Sequence, residues 1–190
     1  LFDIKPHRQD IQTWNHNLTV DPGFEDISNP GVPSSCYARN NGDRGTTFFL
    51  DSREHFEGSH SLRLVTPEDD KGARLKFFPI NIRGGASYIL SVMAKTDPDM
   101  DPHNTETGQN QCFEISLGDY GSCRFNMDSG WRQFVTVVAI PDTLDIKAKA
   151  NIILQMPSAG TAWFDMLQAA ECADMKECVN PELKIPLFDF

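Results

Sequence analysis

Apolar residues in this chain recur at every second position in short runs, and between the runs stand Gly, Pro, Asn and Asp. A period of two belongs to a strand, whose alternate side chains face opposite sides of a sheet; a helix repeats at about 3.6, and that period is almost absent here. The runs are "TTFFLD", "SLRLVT", "ARLKFFPINI", "SYILSVMAKT", "CFEISLG", "SCRFNM", "WRQFVTVVAI", "ANIILQM" and "TAWFDMLQ". Strands at this spacing, with turn residues between them, predict an all-β fold, a two-sheet antiparallel β-sandwich, rather than one with crossover helices. A chain of 190 residues fills one such core, so residues 1–190 are expected to form a single domain.

One hairpin allows a register to be chosen. In "CFEISLGDYGSCRFNM" a loop Asp119-Tyr120-Gly121 sets Phe113 opposite Met127, Ile115 opposite Phe125 and Leu117 opposite Cys123, which keeps one face apolar. Gly121 would take the left-handed position. The other face then carries Glu114, Ser116, Arg124 and Asn126. Alternation sends Cys112 and Cys123 to opposite faces, so these two should not bond to each other. With five cysteines, Cys172 is expected to pair with Cys178 and Cys36 with Cys112, leaving Cys123 a buried thiol. Two stretches resist strand assignment: the polar loop "DPDMDPHNTETGQN" and "CADMKECVNPE" near the C-terminus.

Charge and motif content narrow the function. Lys and Arg number 17 against 27 Asp and Glu, a net of -10, and there is no long basic run, so a nucleic-acid partner is not expected. No apolar run approaches the roughly 18 residues of a membrane span, and "LFDIKPHRQD" lacks a signal-peptide pattern, as in a mature or excised soluble segment. Five cysteines and the sequon "NLT" at Asn17 lean towards a secreted or extracellular setting, a bacterial surface included. Nucleophile-elbow, P-loop, H-E-x-x-H and C-x-x-C patterns are missing, and His7, His16, His55, His60 and His103 lack zinc-ligand spacing. No catalytic residue is therefore nominated.

Five pieces in order, "NLTVDPGFED", "FEGSHSLRL", "GGASYILSVMAKT", "DSGWRQFVTVVAIP" and "AWFDMLQ", resemble the successive landmarks of carbohydrate-binding modules of families four, nine and twenty-two. The likeness spans about residues 17–171, and it implies a jelly-roll sandwich with a structural calcium. Pro22 stands where the family usually has glycine, and Met166 where it has a second Asp. Carried over, the ion would rest on Glu25, Glu57 and Asp165, helped by backbone oxygens near Gly23 and His60. Ca²⁺ takes six to eight hard oxygens, and a "DPGFED" turn built on Pro22 and Gly23 would free carbonyls for it. Alternation places Asp165 on the face of Trp163 and Leu167, where a bare carboxylate needs a cation or donors. An Asp satisfied by backbone hydrogen bonds is the other reading, and Asp51 and Glu54 compete as ligands.

Sugar binding requires aromatic faces flanked by polar groups. Trp131 and Trp163 read as packing residues, which leaves Tyr37 and Tyr120 as the freer rings. Glu114, Arg124 and Asn126, with the alternating Arg74 and Lys76 of "ARLKFF", are candidates to line a cleft, or form a solvated sheet face; three cations there would favour an anionic or sulfated glycan. The resemblance thus implies a non-catalytic module that binds polysaccharide and serves a catalytic domain of a secreted glycan-active enzyme by raising effective concentration. The rivals are a structural or protein-interaction module of an extracellular multidomain protein, and an enzyme with its acid pair in a cleft.

Overall fold

The computed structural model describes residues 17–27, 33–38, 47–67, 73–100, 111–144, 148–157 and 159–172. The described residues form ten strands: β1 (Cys36–Ala38), β2 (Thr47–Asp51), β3 (Ser61–Thr66), β4 (Ala73–Ile82), β5 (Ser87–Thr96), β6 (Cys112–Leu117), β7 (Ser122–Asn126), β8 (Arg132–Ala139), β9 (Ala148–Met156) and β10 (Gly160–Cys172). The described residues hold one 3-10 turn, Pro98–Met100, and no helix long and apolar enough to cross a membrane. A first sheet runs β1-β4-β9-β6-β7 and a second β2-β3-β10-β5-β8, with antiparallel neighbours throughout. This is a jelly-roll type β-sandwich, as the period-two runs predict. The short β1 was not anticipated, because "CYA" is too brief to show a period.

Leu75, Phe77, Phe113, Ile115, Ile152 and Leu154 from the first sheet pack against Leu62, Leu64, Tyr88, Leu90, Val92 and Phe164 from the second. Phe113 is the hub, with ring centroids 5.2 Å from Phe134, 5.3 Å from Phe164 and 5.5 Å from Phe125. β5 is buried at all ten positions because its other face is covered as well. There Met93 joins Trp131, Trp163 and Phe56 in a second apolar layer on the outside of the second sheet. Both tryptophans therefore pack, as expected, but outside the sandwich rather than between its sheets.

The β6–β7 hairpin keeps its faces and shifts its register. Phe113 opposes Phe125 and Ile115 opposes Cys123, two residues from the pairing expected. Leu117 exchanges bonds with the turn, its N–H donating to Gly121 O and its oxygen accepting from Tyr120 N–H, so the loop is Gly118-Asp119-Tyr120. Gly118, at φ 54°, is the left-handed residue instead of Gly121. Its N–H donates to Asn151 O of β9, so the turn is tied to the neighbouring strand.

The cysteine expectations fare differently. Cys36, Cys112 and Cys123 are free, so the Cys36–Cys112 bond is absent. Cys36 points into the core from β1, whereas Cys112 lies on the outer face of β6 with β4 and β9 between them. Three strand spacings of about 4.8 Å put their backbones at least about 14 Å apart, twice what a disulfide spans. Cys123 is half-buried rather than buried. Cys178 lies outside the described residues, as do residues 101–110 of the polar loop.

Candidate functional site

Two places gather the candidate residues: a cleft at the margin of the second sheet, and the outer face of the first.

The cleft begins with residues 17–25, which run beside β10. Leu18 N–H donates to Ala169 O, Leu167 N–H to Pro22 O, and Ala169 N–H to the Asn17 side-chain oxygen. The sequon's Asn17 and Thr19 thus clamp β10, Thr19 Oγ1 donating to Leu167 O at 2.8 Å. The turn that follows differs from its expected form: Asp21 (φ 49°) and Phe24 (φ 57°) are left-handed, not Gly23. Asp21 Oδ1 staples it by accepting from Glu25 and Asp26 N–H, and Phe24 is driven fully inside, its ring 6.0 Å from Phe77. Burial of that ring is what holds the strained backbone.

β10 bulges between Asp165 and Gln168, with Met166 at φ 48°. The bulge returns Leu167 to the main core, so Asp165 shares its face with Trp163 but not, as expected, with Leu167. Asp165 is fully buried, and three peptide N–H groups meet it: Phe56 (2.8 Å) and Glu57 (3.0 Å) on Oδ2, Met166 (2.7 Å) on Oδ1. Burial and the nearby Glu25 charge outweigh these donors and push its carboxyl up to about 7. Glu25 Oε1 accepts from Ser59 and His60 N–H at 2.8 and 3.0 Å. Burial works against its ionisation, but those donors and the His60 ring hold its carboxyl below the usual range. One loop, joining β2 to β3, thus lends two N–H pairs to two carboxylates from distant parts of the chain.

A cleft of about 240 Å³ opens between Pro22, Gly23, Glu25, Glu57, Met166 and Gln168. Among the described residues no three His, Cys, Asp or Glu side chains converge closely enough to hold a metal by themselves. Yet Gln168, 8% exposed, leaves its Oε1 buried without a hydrogen-bond partner where it lines the cleft. Two carboxylates and an orphaned amide oxygen are hard donors of the kind Ca²⁺ selects. Of the expected ligands, Glu25, Glu57 and Gly23 line the cleft and Asp165 lies beside it, its Oδ1 4.0 Å from where a Gly23 β-carbon would stand, while His60 turns its N–H and ring to Glu25. Asp51 and Glu54 are engaged elsewhere: Asp51 Oδ2 accepts from Trp163 Nε1 at 3.0 Å, and Glu54 pairs with Lys95 at 3.0 Å.

The outer face of the first sheet collects most of the other candidates. Register aligns Arg74, Gln155, Glu114 and Arg124 in one row across β4, β9, β6 and β7. The next row runs Tyr37, Lys76, Ile153, Ser116 and Ser122, and Asn126 opposes Cys112. At the centre Ile153 is 3% exposed, while Arg124 and Asn126 are exposed at the β7 edge. Tyr120 is not on this face, because its ring folds against Gly118 and the core margin at the hairpin tip. Two residues here escaped the sequence reading. Gln155 is placed by its neighbours' register, and Phe78, 47% exposed, follows Arg74 and Lys76 in the outward alternation, just before the bulge between Lys76 and Pro79 returns Ile80 to the core. Pro79 inside a strand was the available signal.

No family model matches the chain, and no curated protein matches it in sequence. Among solved structures, a family 16 carbohydrate-binding module and TmCBM61 in complex with β-1,4-galactotriose match over 81% and 83% of this chain and 99% of each of theirs. Their identities are 15% and 13%, their TM-scores 0.52 and 0.54. A cyclase from Fischerella sp. TAU matches over 81% of this chain and 95% of its own, at 12% identity and a TM-score of 0.61. The enzymatically active domain of the bacteriophage CBA120 tailspike protein 4 matches over 82% of this chain at 15% identity and a TM-score of 0.57, and this chain spans 21% of it. At these identities the likeness is one of fold, shared by binding modules and enzymes alike.

Proposed function

We propose that this chain is a non-catalytic carbohydrate-binding module whose glycan lies along the outer face of the first sheet. The observation that carries the reading is the in-register row Arg74-Gln155-Glu114-Arg124, next to the row of Ile153 and Ser116. Planar amide, carboxylate and guanidinium groups there offer donors and acceptors in the spacing of adjacent strands, and exposed Phe78 offers an apolar ring at the margin. The shared fold with two carbohydrate-binding modules supports the reading. We place a structural calcium at the cleft, held by Glu25, Asp165 and Gln168 with Glu57 and Gly23 alongside; bound there, it would neutralise the paired acids. The setting proposed is that of an accessory domain in a secreted glycan-active enzyme, where tethering raises the catalytic partner's effective concentration.

The test is a glycan array followed by calorimetry. Arg124→Ala and Gln155→Ala should each weaken the best ligand about tenfold, the cost of about one charged or well-placed hydrogen bond. A chain that binds no glycan, yet holds a neighbouring domain, is instead the structural or interaction module. One observation favours that rival: Trp131 and Trp163 are buried beneath the second sheet and offer no stacking platform. Turnover of any glycoside by the chain alone would make it an enzyme.

A further inference from the structure

The glycan-binding face is selective in charge, and this deepens the reading above and rests on it. Strand residues facing outward from the first sheet include Arg74 and Lys76 on β4, Lys149 on β9 and Arg124 on β7. Glu114 is the one acid among the described strand residues of that face. The whole chain has the opposite balance, 17 basic residues to 27 acidic. Among the described strand residues this face therefore carries four cations to one acid, the reverse of the whole chain's balance. Arg74 adds a second, independent sign. Its Nε is buried on this face and has no hydrogen-bond partner. A guanidinium with an unused, buried donor can receive planar oxygens, and such groups prefer bidentate oxyanions to single hydroxyls.

We propose that the ligand is an acidic glycan, its oxyanion received by Arg74 with Lys76 beside it, and with Arg124 taking a further anionic group across the row. The two arginines are three strand spacings apart, about 14 Å, so the row spans several sugar rings rather than one. Gln155 and Glu114, between them, address hydroxyls. Both carboxylate and sulfate present the required oxygens, so the shared chemistry is an oxyanion borne on a pyranose. Distant surface acids do not forbid this, because charges farther than a Debye length of about 8 Å are largely screened at physiological salt.

The experiment uses matched pairs: polygalacturonate against its methyl ester, and dextran sulfate against dextran, with neutral β-1,4-galactan and cello-oligosaccharides as further probes. The expected result is at least tenfold tighter binding to the charged member of one pair, which also identifies carboxylate or sulfate as the source. Arg74→Gln should remove most of that preference, while Arg83→Gln, a basic residue paired with Glu171 away from this face, should leave it intact. Equal binding within both pairs, or binding to neutral glycans alone, overturns the acidic ligand and leaves the glycan reading standing. Equal losses in the two variants would reveal nonspecific polyanion attraction and also overturn it. Binding to none of the probes overturns both.

Discussion

A β-carbon on Gly58 would stand 2.1 Å from Oε1 of Glu25. The glycine is at φ 69°, a left-handed conformation, and it lets the β2–β3 loop close around the carboxylate so that the next two N–H groups reach it. Gly58→Ala therefore strains the backbone by about 1–2 kcal/mol and displaces Glu25 from its donors, for a total of about 2–4 kcal/mol. Gly23→Ala makes ordinary contacts, 3.6 Å to Glu25 and 4.0 Å to Asp165, and should be near neutral. Urea denaturation of the two variants checks the contrast; equal midpoints would mean that Glu25 is not held as described.

The second layer yields a pH prediction. Burial disfavours ionised Asp51, but Trp163 Nε1, the Arg53 and Glu54 N–H groups and the Arg63 charge together hold its carboxyl below the usual range. A depressed folded pKa stabilises the fold above the unfolded value of about 3.9, and that stability is lost as pH falls through the folded value. Asp51→Asn should thus cost about 1–3 kcal/mol at pH 7, through a donor set against a donor, with the gap narrowing below pH 4. Melting curves for both proteins from pH 7 to 2.5 decide it. A constant gap would remove the charge from the account.

How much was legible beforehand depended on whether a feature is periodic. Strand existence, sheet faces and the shared face of Arg74, Lys76, Glu114 and Arg124 follow from a period of two, which local sequence displays. Departures from that period carried the surprises. The β10 bulge at Met166 reversed Leu167, the β4 bulge brought Ile80 into the core, and Gly118 rather than Gly121 turned the hairpin. Each is set by a neighbouring strand found only in three dimensions, as when Asn151 of β9 claims the Gly118 N–H. The Cys36–Cys112 pairing failed likewise, because strand order is not written in alternation. Gln168 was passed over since an amide in a strand has no signature until its partners are seen to be missing.

The proposed calcium predicts a stability that chelation removes. At free ion a hundredfold above the dissociation constant, linkage contributes about 2.7 kcal/mol, or about 5–10 °C in melting temperature for a chain of this size. EDTA should lower the melting temperature by that amount, and added Ca²⁺, not Mg²⁺, should restore it. Asp165→Asn and Gln168→Leu should each abolish the response. If chelator changes nothing in the parent protein, the peptide donors from Phe56, Glu57 and Met166 are all that Asp165 has.

The cysteines offer a test of strand order that needs no ligand. Cys36 faces the core from β1, 7% exposed, and burial pushes its thiol up to about 12, so almost no thiolate is present at neutral pH. Cys112 and Cys123 are half-buried on opposite faces of the β6–β7 hairpin, within reach of reagent. Iodoacetamide applied to the native protein, with peptide mapping, should modify Cys112 and Cys123 at least tenfold faster than Cys36. Unfolding in urea should bring all three to similar rates without reductant. Protection of both Cys36 and Cys112 until reductant is added would mean the two are bonded. In that event β1 and β6 could not be three places apart, and the row from Arg74 to Arg124 would lose the strand order that aligns it.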